Sequence, residues 1–113
     1  MRLSVLFVAC IASTSPVLAE TLSIVLPGKV ETISAAYSCP SGRMDVTYHN
    51  AEGVSLAVFE VGGETVVASN VLSASGARYA GGQYVWWTKG AEGDLYDLTK
   101  GEDAPPVHCG PAG

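Results

Sequence analysis

From residue 43 onward, apolar and polar positions alternate with a period of two in short bursts, and glycine or asparagine closes most of them. Across 43–48, Met44, Val46 and Tyr48 fall on one face, and His49-Asn50-Ala51-Glu52-Gly53 then reads as a turn. Across 54–61, Leu56 and Val58 share one face while Ala57 and Phe59 share the other. Gly62-Gly63 follows directly before a second apolar burst at 64–68, and two strands joined by Gly-Gly are a strong hairpin signal. Further strands are predicted over 33–39, 83–88, 94–99 and 107–109, with a weaker one at 21–25. Pro105-Pro106 forbids regular pairing just before the last of these. No stretch after residue 20 has helical periodicity. Seven or eight short strands imply an all-β domain. A small antiparallel β-barrel of about eight strands would remove every exposed edge, although a sandwich would read similarly.

The first 19 residues follow a different pattern. Met1-Arg2 precedes an apolar run, and Val17-Leu18-Ala19 places short residues before Glu20. This reads as a secretory signal peptide cleaved after Ala19, too short to span a membrane, leaving one domain over 20–113 in the periplasm. A lipoprotein reading is also open, because Val8-Ala9 before Cys10 fits the small-residue pattern at a lipidation site; Phe7 fits it poorly.

The leader changes the cysteine count. Three cysteines become two once Cys10 leaves, and in an oxidising compartment Cys39 and Cys109 are expected to pair. The loop so closed holds about 70 residues, for which chain entropy suggests roughly 4 kcal/mol of stabilisation. Losing Arg2 also takes the formal charge from −5 to −6. An acidic surface argues against nucleic acid and anionic membrane as partners. It favours encounter with a basic protein, or it serves solubility alone.

Two polar, glycine-bearing segments flanked by aromatics carry the candidate chemistry: Ser73-Ala74-Ser75-Gly76-Ala77-Arg78-Tyr79 and Trp86-Trp87-Thr88-Lys89-Gly90-Ala91-Glu92. The first resembles the Ser-Gly/Ala-Ser-Gly-x-x-Tyr motif, and the second the Trp-x-Lys-Gly motif, of the membrane-bound and periplasmic inhibitors of C-type lysozyme. The framework is similar too, with Tyr37-Ser38-Cys39, Gly42, the Val46-Thr47-Tyr48 strand and a cysteine near the C-terminus. That resemblance implies an eight-stranded barrel whose first motif loop enters the lysozyme cleft in defence against a host. It further implies that Ser75 hydrogen-bonds the catalytic glutamate and Lys89 pairs with the catalytic aspartate. Ser73, Gly76, Arg78, Tyr79, Thr88 and Gly90 complete the expected lysozyme-binding set. Two departures stand out. Many relatives carry Asp-Glu after the Lys-Gly, where this chain has Ala91-Glu92-Gly93, and without a convincing lipoprotein cysteine the periplasmic branch is the nearer match.

Each residue also has a plainer role. Ser75-Gly76 can be a turn and Lys89-Gly90 a solvated hairpin end, while Arg78 can be a surface charge. For Tyr79, Tyr84, Trp86 and Trp87, core packing or loop support is favoured over direct contact, since alternation sends two of residues 84–87 inward and two outward. A Ser-Lys dyad is conceivable, but no oxyanion segment, acid or histidine accompanies it, so no catalysis is expected. His49 in a turn and His108 beside the cysteine lack neighbours at ligand spacing, so neither metal nor cofactor is expected. The competing function is a periplasmic or envelope-structural barrel that binds a small ligand or peptide; it would need an open apolar cavity where an inhibitor would have a filled interior.

Overall fold

The computed structural model describes residues 20–112. The expected leader and the alternative lipidation site at Cys10 lie outside the described residues. Eight antiparallel strands form a closed barrel in sequence order: β1 (Glu31–Cys39), β2 (Gly42–Asn50), β3 (Ser55–Val61), β4 (Glu64–Val71), β5 (Ala77–Gly81), β6 (Tyr84–Lys89), β7 (Glu92–Asp97) and β8 (Val107–Pro111). The barrel reading therefore holds over the sandwich.

Alternation decides which residues fill the interior. Met44 and Val46 on β2, Ala57 and Phe59 on β3, and Val66 and Ala68 on β4 point inward with Tyr37, Tyr79, Trp86 and Cys109. Trp86 and Val46 are completely buried. The indole meets Tyr37 edge-on at a centroid distance of 4.9 Å and Phe59 at 6.2 Å. Its Nε1 donates to Tyr48 Oη at 2.8 Å, and Tyr48 Oη shares a second 2.8 Å hydrogen bond with Tyr37 Oη. Burial, reinforced by the Tyr37 hydrogen bond, pushes the Tyr48 phenol far above its ordinary range, so it stays neutral. Room for the indole comes from Gly93: a Cβ at that position would run into the Trp86 ring.

Tight turns keep the strands in register. Gly62 and Gly63 have φ of +57° and +83°, the left-handed pair that a type I′ hairpin turn requires. The last strand closes the barrel onto the first through only two paired positions, Tyr37↔Pro111 and Ser38↔Gly110, the shortest ladder in the sheet. The Cys39–Cys109 disulfide joins those same two strands beside this seam.

Four expectations need correction. Residues 21–25 form no strand; they lie outside the closed barrel with every residue exposed and so bury no apolar face. His49 and Asn50 belong to β2, where they pair with Thr32 and Glu31, so the turn is confined to 51–54. Residues 77–79, read only as part of a loop motif, form β5 together with Ala80 and Gly81. The strand expected to reach Thr99 stops at Asp97, whose carboxylate accepts from Thr99 N (3.0 Å) and Thr99 Oγ1 (2.6 Å) and so caps a short 3₁₀ turn, Leu98–Lys100.

Because the disulfide restrains the weakest seam and closes a 70-residue separation, reduction should remove on the order of 4 kcal/mol and lower the thermal midpoint by more than about 10 °C. Calorimetry with and without reductant checks this. An unchanged midpoint would mean that the seam holds without the bridge.

Candidate functional site

In an up-and-down barrel, the connections β2–β3, β4–β5 and β6–β7 emerge at one rim. The β4–β5 connection runs from Leu72 to Gly76 and carries Ser73 and Ser75; the β6–β7 turn is Gly90-Ala91, directly after Lys89. Only the β5–β6 hairpin separates them. The two motifs, 14 positions apart between Ser75 and Lys89, thus meet at one end of the barrel as neighbours.

Three contacts hold the loop. Trp87 Nε1 donates to the Ser75 carbonyl at 2.8 Å, fastening the loop tip to β6. Ser73 Oγ donates to the Gly76 carbonyl at 3.1 Å and closes the loop on itself. Gly76 has φ +66°, and any Cβ there would collide with the Thr88 carbonyl and crowd Lys89 Cγ at 2.9 Å. Glycine is required here on both counts, and the stem of Lys89 therefore lies against the loop. Thr88 Oγ1 adds a long 3.4 Å bond to the Ala77 carbonyl, across the pair where β5 begins.

The polar ends remain available. Ser75 and Lys89 are exposed. Among the described residues, the Ser75 hydroxyl has no hydrogen-bond partner and the Lys89 ammonium has no carboxylate within 4.0 Å. A donor and a cation on neighbouring connections, one on an anchored backbone and one with its stem against the loop, can take up two neighbouring acceptors.

The other expected residues divide. Gly90, with φ +59°, shapes the turn after Lys89. Arg78 is half-buried, with its guanidinium 5.7 Å from the centre of the Trp87 ring, so it braces the loop anchor from the outer wall. Tyr79, grouped by its motif with the binding residues although core packing is the favoured expectation, points into the barrel at 6% exposure and packs on Tyr48 at 5.4 Å, so it makes no direct contact at the rim. Its place is under the loop, in the core. Tyr84 and Trp86 pack in the core cluster and Trp87 lies on the outer wall, while Val85, outside that cluster, is nonetheless buried at 3% exposure.

One cluster at the site was not foreseen. Cross-strand register lines up Arg78, Trp87, Asp94 and His108 along the outer wall of β5 to β8. His108 Nδ1 lies 2.7 Å from Asp94 Oδ1, and its Nε2 lies 3.9 Å from Glu92. These three residues and Lys89 border one shallow depression with Trp87 and Tyr96. The partners of His108 are distant in sequence and arrive by strand pairing, so no local spacing announces them. Among the described residues no group of three or more His, Cys, Asp or Glu side chains is arranged to hold a metal ion.

The hydrogen bond to Asp94, with the added fields of Asp94 and Glu92, holds His108 above its ordinary pKa of 6.5. The sign follows: a pKa raised by folding contributes stability that is full below about 6.5 and is lost as pH rises through the folded-state value. NMR titration should place the His108 midpoint higher in the folded chain than in urea, and Asp94→Asn should bring the two together. Equal midpoints in the wild type would show that the Asp94 contact does not persist in solution.

Known proteins bear on this geometry in three ways. The family model described as membrane-bound lysozyme-inhibitor of c-type lysozyme matches residues 37–104. The membrane-bound lysozyme inhibitor of C-type lysozyme from Cupriavidus necator is 51% identical over 72 residues, covering 63% of this chain and 58% of the relative. The Pseudomonas aeruginosa protein of the same name is 50% identical over 91 residues, covering 76% of this chain and 72% of the relative. The chain thus spans less than two thirds of the first relative's length and nearly three quarters of the second's. Among solved structures, the crystal structure of Pseudomonas aeruginosa MliC in complex with hen egg white lysozyme matches with a TM-score of 0.71 and 43% identity, covering 84% of this chain and 99% of that one. A shared barrel, a shared sequence over most of the domain and both rim motifs in order lead to one assignment: the chain belongs to the family of membrane-bound lysozyme inhibitors of C-type lysozyme.

Proposed function

We propose that the protein inhibits C-type lysozyme by occupying its catalytic cleft with the 72–76 loop, Ser75 donating to the catalytic glutamate and Lys89 pairing with the catalytic aspartate. The observation that carries this reading is the rim itself, where Trp87 anchors the Ser75 backbone and the Lys89 stem lies against Gly76, leaving an unengaged hydroxyl and an unengaged ammonium on neighbouring connections. Retaining glycosidases, of which lysozyme is the type case, hold their two carboxyl groups about 5 to 5.5 Å apart. Two donors on adjacent connections suit such a pair. Support also comes from the neighbouring MliC structure, which is a complex with hen egg white lysozyme, and from the names of both relatives.

Inhibition of this kind needs occupancy and no chemistry, so the protein acts as a binding partner and not as an enzyme. Ser73, Gly76 and Gly90 shape the two tips, Thr88 and Arg78 support them, and Tyr79 packs on Tyr48 in the core. The site of action is the cell envelope: the periplasm if the leader is cleaved after Ala19, the membrane surface if Cys10 is lipidated. A ligand-carrying barrel is disfavoured because Trp86, Phe59, Met44, Tyr37 and Val46 occupy the interior where the ligand would sit.

Residual cell-wall lysis by a C-type lysozyme, measured against increasing mature protein, tests the reading. Lys89→Ala should raise the half-inhibitory concentration by about thirtyfold or more, as expected when one member of a buried charge pair is truncated. Ser75→Ala should raise it by about ten- to a hundredfold, the value of a hydrogen bond to a charged acceptor. Folded wild type that leaves lysis untouched would remove the function for C-type targets, and full potency in both variants would remove the residue assignments. The acidic formal charge further predicts that association with a basic lysozyme slows as salt rises. A rate indifferent to ionic strength would exclude electrostatic steering.

A further inference from the structure

The loop that carries Ser75 also carries an apolar residue that the fold does not use. Leu72 is the first residue after the β4 ladder ends at Val71, and the residue is 97% exposed. The rest of the loop is small or polar: Ser73, Ala74, Ser75, Gly76. Single exposed leucines are common on protein surfaces and need no explanation by themselves. This one differs in position. It sits at the base of a segment closed by the Ser73–Gly76 hydrogen bond and anchored at Ser75 by Trp87, three residues from the hydroxyl argued to meet a catalytic carboxyl.

The chemistry of that carboxyl suits an apolar neighbour. The general acid of lysozyme has its pKa raised to about 6 by an apolar pocket against an indole ring. A serine hydroxyl delivered there gains most if water is excluded around it, since near-neutral apolar contacts that shut out solvent strengthen the polar contacts they surround. We propose that Leu72 is an affinity-determining contact of the inhibitor, packing on the apolar wall of the lysozyme cleft and drying the Ser75 hydrogen bond. The proposal rests on the cleft-occupying reading above and adds to it a residue outside both motifs.

Calorimetric titration into hen egg white lysozyme tests it, using wild type, Leu72→Ser, Leu72→Met, Ser75→Ala and the Leu72→Ser/Ser75→Ala double variant. Leu72→Ser should weaken binding about ten- to a hundredfold, the range for losing one buried leucine, with an unchanged thermal midpoint of the free protein. Leu72→Met should stay within about threefold of wild type. In the double variant the losses should be less than the product of the single ones, since the two side chains act on one hydrogen bond. If Ser75→Ala weakens binding while Leu72→Ser does not, the Leu72 proposal fails alone. If Leu72→Ser lowers the midpoint along with affinity, its role is structural and the proposal fails. Wild type that does not bind, or Ser75→Ala that binds as wild type, overturns the cleft reading and this inference with it.

Discussion

The indole of Trp86 is the constraint from which the rest of the molecule follows. A barrel of eight short strands has just enough interior for side chains, and one completely buried tryptophan dominates it. Burying the ring is favourable, but burying its N–H is not unless an acceptor is present. Tyr48 provides that acceptor, and Tyr37 in turn engages the Tyr48 hydroxyl, so three aromatic residues from β1, β2 and β6 share one short polar chain inside an otherwise apolar core. Gly93 on β7 completes the fit by offering no side chain where the ring lies. Among the described residues no buried side-chain nitrogen or oxygen is left without a partner. The network ties distant strands together more specifically than apolar contact alone would.

The same strand that buries Trp86 presents the functional rim. With a side-chain period of two, fixing Trp86 inward forces Trp87 outward, where its Nε1 reaches the Ser75 carbonyl. Two residues further on, Lys89 faces outward at the strand's end, against Gly76. Core packing and loop position are therefore not independent. A shift of β6 by one residue would expose Trp86, bury Lys89 and release the loop. Loops that bind must otherwise surrender conformational freedom when they do so, and one already fastened at its tip and closed by Ser73 has surrendered most of it in the free protein.

How much of this could be read in advance depended on whether the signal was local. Period-two alternation around Met44-Val46-Tyr48 and Ala57-Phe59, and the Gly-Gly turn, are local; they located β2, β3 and β4 and sorted β2 and β3 into two faces, but which face of β3 and β4 turns inward came only from closure of the barrel. The cysteine pair was legible from compartment and count. By contrast β5, Ala77–Gly81, has three alanine or glycine residues in five and owes its strand state to pairing on both sides. His49 and Asn50 carry turn-forming chemistry but are held extended by β1, which starts two residues earlier than its apolar pattern. The burst at 21–25 has strand composition and buries no apolar face. At the site, the resemblance named Ser75 and Lys89 on neighbouring loops and alternation favoured a supporting role for Trp87, while the Ser75 carbonyl that Trp87 holds and the Asp94–His108–Glu92 contacts came only from register between strands.

Closure explains why the disulfide sits where it does. A barrel is only as firm as its shortest ladder, and here two paired positions join β8 to β1. If that seam opened, β1 would carry Tyr37 away from Trp86, and the polar chain in the core would lose a member while buried hydroxyls lost partners. Opening at the seam would thus propagate to β6, to Trp87 and to the loop it holds, although the rim residues touch neither cysteine. Cys39 lies one residue beyond the Ser38↔Gly110 pair, and Cys109 one residue before it, so the covalent link prevents the one separation that would unfasten the functional rim from within.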